Sequence, residues 1–279
     1  MNNNFLSPSE IADATINAGI RKANMTAATQ FVLGILAGAF IAFGAEAANM
    51  AAHTTTDIST AKLISGLIFP AGLLLVITAG AELFTGNNLM ILALAERKIT
   101  PIQLLRSWLV VYAGNLVGGV LVAYLVAWSG QWDYSGGTLG GFTIKTATGK
   151  ISLPFVKAVV LGVLCNWLVC LAVWSSTGAK DGISKAVCVF FPIWLFVASG
   201  FEHSVANMYY IAAGIIAKGN PSYVMKAIEL GASQPSIDAL DYCAMFTRNL
   251  LPVTFGNIMG GAGLVGLVYW FVYAKGKKS

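Results

Sequence analysis

The chain has 279 residues, of which 57% are hydrophobic and only 10% charged, and its mean hydropathy is +0.73. A soluble domain carries about 25% charged residues, so this composition excludes a soluble enzyme and specifies an integral membrane protein. The net charge of +5 suits a membrane surface and anionic solutes, and nothing in it points to nucleic acid.

The opening stretch, "MNNNFLSPSEIADA", has no basic segment followed by an apolar core, so no cleaved signal is expected. Residues 7–22 predict a short amphipathic helix. Ser7 is its N-cap, Pro8 takes the first helical position, and Glu10 closes a capping box. Residues 1–26 are read as this N-terminal helix, 27–274 as a six-helix transmembrane domain, and 275–279 as a basic tail. The transmembrane domain holds six apolar segments, at 27–52, 63–95, 103–129, 154–176, 184–217 and 248–274. A span needs about 20 apolar residues.

The second and fifth segments are too long for one straight span across a hydrocarbon layer of about 30 Å. Each is interrupted by a polar patch, "GAELFTGNN" at 80–88 and "SGFEHSVAN" at 199–207. Excess length with a polar interruption predicts a helix broken at mid-membrane, which is tolerated only inside protein or beside a wet cavity.

The two patches share G-x-E-x-x-x-x-N, with Glu82 and Asn87 matching Glu202 and Asn207. "YAGNLVGG" (112–119) matches "TFGNIMGG" (254–261), and "LGILAG" (33–38) echoes "LGVLCN" (161–166). The common order indicates a duplicated three-helix unit. Three is odd, so the second copy enters the bilayer from the opposite side, an inverted repeat that puts the working site at the midplane. The fold class is therefore all-α, six transmembrane helices in an inverted 3+3 arrangement. Basic residues divide ten to seven in favour of both termini lying inside the cell, with two long outer loops at 130–153 and 218–247.

Few ionisable residues fall within the spans: Glu46, Glu82, Lys157, Glu202 and His203. Lys157 lies near a membrane end, where it can snorkel, and Glu46 is equally compatible with an interfacial place. Glu82 and Glu202 suit capping of the half-helices or bonding of freed backbone amides. His203 has no counterpart in the first repeat, where Leu83 stands. A midplane imidazole can donate, accept or carry a proton, and Thr85 in the opposing break is its natural hydroxyl partner. "GILAG", "GNLVG" and "GNIMG" are G-x-x-x-G matches, compatible with an oligomer. Cys165, Cys170 and Cys188 lie in apolar runs and read as packing residues. No metal site and no cofactor are expected.

"AELFTGNNLM", "GNLVGG", "CNWLVCLAVW", "ASGFEHSVANMY" and "NLLPVTFGNIMGG" resemble the formate–nitrite transporter family, from about residue 19 to the C-terminus. The resemblance implies an aquaporin-like protomer, a homopentamer with one pore per protomer, and passage of small monovalent anions such as formate, nitrite or hydrosulfide across the cell membrane. It puts the family's central histidine on His203, its threonine on Thr85, and its vestibule lysine on Lys150, with Lys22 as a second basic residue. The pore-helix asparagines fall on Asn166 and Asn257. The apolar constrictions fall on Phe69, Leu73, Leu83, Val169 and Phe196. Lys157 departs from the formate-channel members, which usually carry an acidic residue there. Protons are the expected co-substrate, because a neutral weak acid crosses an apolar slit more cheaply than its anion. The proton would come from His203 or from water near it. An aquaporin-type pore would need paired N-P-A motifs, and the breaks read "TGN" and "VAN". An intramembrane enzyme would need a nucleophile or metal set, and every aspartate lies outside the spans.

Overall fold

In the computed structural model, residues 4–275 are described, so residues 1–3 and the tail beyond Lys275, with Lys277 and Lys278, lie outside the described residues. The described chain is helical, and its elements follow the apolar segments. Helix α1 (Pro8–Ala23) opens on a capping box between Ser7 and Glu10. Its buried face, with Ile11, Ile16 and Gly19, packs on later helices. Helix α2 (Ala27–Ala52) follows at once, capped by Thr26.

The second apolar segment is broken. Helices α3 (Ile58–Ile68) and α4 (Pro70–Ala79) together form one stretch long and apolar enough to cross a membrane. The chain then turns at Gly80, whose φ of +79° is a conformation that favours glycine. It restarts as α5 (Phe84–Asn87), a 3₁₀ turn (Asn88–Met90) and α6 (Ile91–Ala95). Helix α7 (Pro101–Trp128) is the next full-length apolar helix. Helices α8 (Thr138–Ile151) and α9 (Phe155–Gly178) come next. The fifth segment breaks as the second does. Helix α10 (Gly182–Ala198) is followed by Gly200 at φ +71°, and α11 (Ser204–Ala217) begins from His203.

Helices α12 (Pro221–Glu229) and α13 (Gln234–Asp238) precede the last span, Tyr242–Tyr273. That span is α14 (Tyr242–Ala244), α15 (Leu251–Ile258) and α16 (Val268–Tyr273), joined through π-helical stretches at Met245–Leu250 and Met259–Leu267. Pro252 has no N–H to give the ladder, which accounts for the first widening.

Two sequence expectations need correction. The stretches 130–153 and 218–247 are largely helical rather than long loops. In α8, Leu139, Thr143, Ala147 and Ile151 are buried at four-residue spacing, and α8 packs on α11 and α12. Its Thr, Gly and Lys content concealed that face in the sequence.

The G-x-x-x-G motifs are used inside the protomer. A Cβ on Gly38 would lie 2.1 Å from the Asn115 carbonyl oxygen, and one on Gly118 2.0 Å from that of Ile35. Gly256 and Gly260 meet the Val159 and Val163 carbonyls of α9 at 2.1 and 2.2 Å in the same way. Backbone cannot move aside as a side-chain rotamer can, so added bulk here costs about 1–3 kcal/mol or more. Gly118→Ala is expected to lower the thermal midpoint in detergent. Gly263→Ala, where a Cβ meets open space, should leave it unchanged.

Candidate pore site

The two breaks meet in the protein centre. Thr85 is the second residue of α5, and His203 is the N-cap of α11. Thr85 Oγ1 and His203 Nε2 lie 2.9 Å apart, and both residues are buried. His203 Nδ1 accepts the Ala206 N–H at 3.0 Å, which caps α11. An imidazole nitrogen that accepts a backbone N–H holds no proton, so the hydrogen-bond pattern assigns the proton of the neutral ring to Nε2. Nε2–H then donates to Thr85 and leaves the threonine hydroxyl hydrogen for a third partner.

One asparagine clamps each break, in the same pattern. Asn115 Oδ1 accepts the Phe84 N–H at 2.9 Å, while its Nδ2 donates to the Gly34 and Glu82 carbonyls at 2.8 and 3.0 Å. Asn257 Oδ1 accepts the Ser204 N–H at 2.9 Å, while its Nδ2 donates to the Gly162 and Glu202 carbonyls at 2.8 and 3.0 Å. Asn166 ties the halves together. Its Nδ2 reaches the Asn257 carbonyl at 2.7 Å and the Thr85 carbonyl at 3.3 Å.

These asparagines correct the reading of the break glutamates as caps. Asn115 and Asn257 accept the first amide of each half-helix and His203 accepts that of Ala206, whereas the glutamate carboxylates bond side chains instead. Glu82 Oε2 accepts from Lys22 Nζ at 2.9 Å and Asn87 Nδ2 at 2.7 Å. Lys22 also donates to Asn87 Oδ1 at 2.6 Å. Glu202 accepts from Lys150 Nζ at 3.0 and 3.1 Å on its two oxygens, and from Asn207 Nδ2 at 2.6 Å. The lysines come from α1 and α8, helices outside the full-length apolar spans. A buried carboxylate is tolerated when it is paired and hydrogen-bonded in this way.

Two cavities approach the Thr85–His203 pair from opposite sides. One, of about 390 Å³, is lined by Lys22, Leu73, Gly80, Glu82, Leu83 and Lys185 among others. The other, of about 150 Å³, is lined by Lys62, Phe69, Lys150, Phe196, Glu202 and His203 among others. Between them stands an apolar wall. The Phe69 and Phe196 rings meet edge-to-face at 5.6 Å, and Phe196 stacks on the His203 ring at 5.9 Å. Val169 is buried in the same apolar cluster but lines neither cavity. Lys157 is exposed on α9 and also lines neither.

Residues 9–271 match the family described as "Formate/nitrite transporter". The chain belongs to the formate/nitrite transporter family. It is 39% identical over 275 residues to "Formate channel FocA" of Escherichia coli (strain K12), covering 97% of this chain and 95% of that protein. It is 40% identical over 271 residues to "Formate channel FocA" of Haemophilus influenzae, covering 94% of this chain and 93% of that protein. A solved "Pentameric formate channel with formate bound" superposes with a TM-score of 0.78 at 34% identity, covering 89% of this chain and 98% of that one.

Within this family member, sequence reasoning passed over several residues at the site. Asn115 was visible in the "GNLVGG" match to "GNIMGG", and its position equals that of Asn257. Asn249 accepts from Asn207 Nδ2 at 2.8 Å and donates to the Lys150 carbonyl at 3.0 Å. No spacing signal marks it. Glu46 is buried against protein, and its Oε2 accepts the Tyr209 hydroxyl at 2.5 Å. Lys62 shares a helix face with Ser65 and Phe69, a spacing visible in the sequence only once Phe69 is known to face the cavity.

Proposed function

We propose that the protein is a channel for small monovalent weak-acid anions, with formate and nitrite first and hydrosulfide as the alternative within the family. The observation that carries this reading is the Thr85–His203 hydrogen bond, set in an apolar wall between two cavities that each carry lysines. The names of the relatives support the anion class. Likeness to a pentameric channel supports a homopentamer. In this reading the six spans form an inverted 3+3 repeat in the cell membrane. The Lys22 cavity and both termini face the cytoplasm, and the Lys150 cavity faces outward.

The mechanism has three steps. The cationic cavity concentrates the anion. The narrowing, low-dielectric wall raises the anion's proton affinity, because desolvation disfavours the charged form. The neutral acid then slips past Phe69, Phe196, Leu73 and Leu83. While the solute is charged, the Thr85 hydroxyl donates to it, backed by His203 Nε2–H. Of the two proton sources, His203 or water near it, the capping bond of Nδ1 favours water. Donation from an imidazolium would place a second N–H at Nδ1, against the Ala206 amide. Water in the cavity supplies the proton without breaking that cap. Lower pH on the side of uptake therefore increases flux.

The decisive experiment is proteoliposome flux with formate, nitrite, hydrosulfide and lactate, with and without a pH gradient. Flux of the short acids that accelerates down the proton gradient supports the reading. Osmotic water or neutral-solute flux without anion dependence overturns it.

Lys150→Ala leaves Glu202 as an unpaired carboxylate at the cavity. Initial uptake at low substrate should fall about tenfold, equivalent to about 1.4 kcal/mol. Adding Glu202→Gln should restore part of it. Unchanged uptake in the single variant would remove the pair from the pathway.

A further inference from the structure

The two sequence-marked lysines, Lys22 and Lys150, are both committed. Each sits against a glutamate within 3.0 Å. Each pair is locally neutral and attracts a distant anion only weakly. Lys62 differs. Among the described residues it makes no ion pair and no side-chain hydrogen bond, yet it lines the same cavity as Lys150, Glu202 and His203.

Its placement is built from the sequence. Helix α3 starts at Asp57, whose carboxylate accepts the Thr60 N–H at 2.6 Å. That carboxylate forms no ion pair with Lys62. Lys62, Ser65 and Phe69 then follow at helical spacing along one face, and all three line the cavity. Seven residues at 1.5 Å rise put Lys62 about 10 Å before the Phe69 constriction. Gly200 gives its ammonium room, since a Cβ there would lie 3.5 Å from Lys62 Nζ. Of the charged groups lining this cavity, Lys150 and Glu202 cancel and His203 is neutral, so one positive charge remains, on Lys62.

We propose that Lys62 is the capture site for the anion on the Lys150 side, and that the Lys150–Glu202 pair holds the cavity open rather than binding substrate. Lys185 occupies the matching place on the other side. It lies in the first turn of α10, after the Asp181 cap, lines the Lys22 cavity and is likewise unpaired among the described residues. Arg21 lines that cavity too. The inference rests on the anion-channel reading, and its test separates the two.

The full-length protein is reconstituted, and formate and nitrite uptake are measured across substrate concentration at low and high salt. For Lys62→Gln the half-saturating concentration should rise about tenfold at low salt with the maximal rate kept, the signature of lost electrostatic capture. The difference should shrink at high salt, where screening falls to a few ångströms. Lys62→Arg should behave as the parent. The Lys150→Gln defect should be relieved by Glu202→Gln, because Lys62 then again carries the cavity's one uncancelled charge. A wild-type half-saturating concentration in Lys62→Gln overturns the inference and leaves the channel reading standing. A second readout does not depend on flux. Formate should raise the thermal midpoint of the parent in detergent, and Lys62→Gln should lose that shift. An unreduced shift in the variant, or none in the parent, also overturns the inference. Absence of anion flux in the parent overturns the channel reading itself.

Discussion

His203→Phe is expected to abolish pH-dependent anion flux while the protein still assembles. The ring fills the same space beside Phe196, but it neither caps Ala206 nor donates to Thr85. Losing an N-cap costs about 1 kcal/mol, which a folded protein survives. Losing the polar pair leaves an apolar wall with nothing to hold a charged solute, and the desolvation penalty for an anion there amounts to several kcal/mol. Each ~1.4 kcal/mol is tenfold in rate, so flux should fall at least a hundredfold. His203→Asn separates the two roles. Asparagine is a good N-cap and should restore the thermal midpoint, but its shorter side chain does not reach Thr85, so flux should stay low. PH-dependent flux at the parent's level in His203→Phe would remove the imidazole from the mechanism.

The second large effect concerns the clamp. Asn257→Leu keeps the volume and removes three hydrogen bonds, to the Ser204 amide and to the Gly162 and Glu202 carbonyls. All three backbone groups are at the centre of the protein, where water cannot replace the partner. Each buried group left unsatisfied costs about 1–3 kcal/mol, so the sum is a large share of a typical stability of about 5–15 kcal/mol. Loss of the assembled species on size exclusion and a strongly lowered thermal midpoint are expected. Asn115→Leu should do the same to the other break, because its three bonds are the same in kind and length. An Asn257→Leu protein that assembles with the parent's midpoint would show that the break is held by something else.

Both breaks were legible before any coordinates, for a physical reason. A polar patch inside an overlong apolar run conflicts with lipid, and only a break beside protein or water resolves the conflict. Gly80 and Gly200 mark the two turns for a local reason that a sequence also displays. The pairing of His203 with Thr85 was readable because each is the exceptional polar residue of its break. Partners were harder. Lys22 meets Glu82 across 60 residues and Lys150 meets Glu202 across 52, and no periodicity reports such a contact. The glutamates therefore looked like helix caps, while the asparagines that do the capping sit on α7 and α15. Helix α8 was missed because its buried face is built from Thr, Ala and Gly as much as from Leu and Ile. The glycine motifs were seen but not their partner, since close approach within a protomer and between protomers demands the same small residues.

One further consequence follows from the origin of Lys22 and Lys150. Each break glutamate is neutralised by a helix that lies outside the full-length apolar spans: α1 supplies Lys22 and α8 supplies Lys150. The docking equilibrium of α1 and the charge state of the pore mouth are thus thermodynamically linked. Any partner that binds undocked α1 draws Lys22 away and leaves Glu82 as a bare negative charge beside the Lys22 cavity. By reciprocity, an anion resting in that cavity favours the docked helix and weakens such a partner by the same factor.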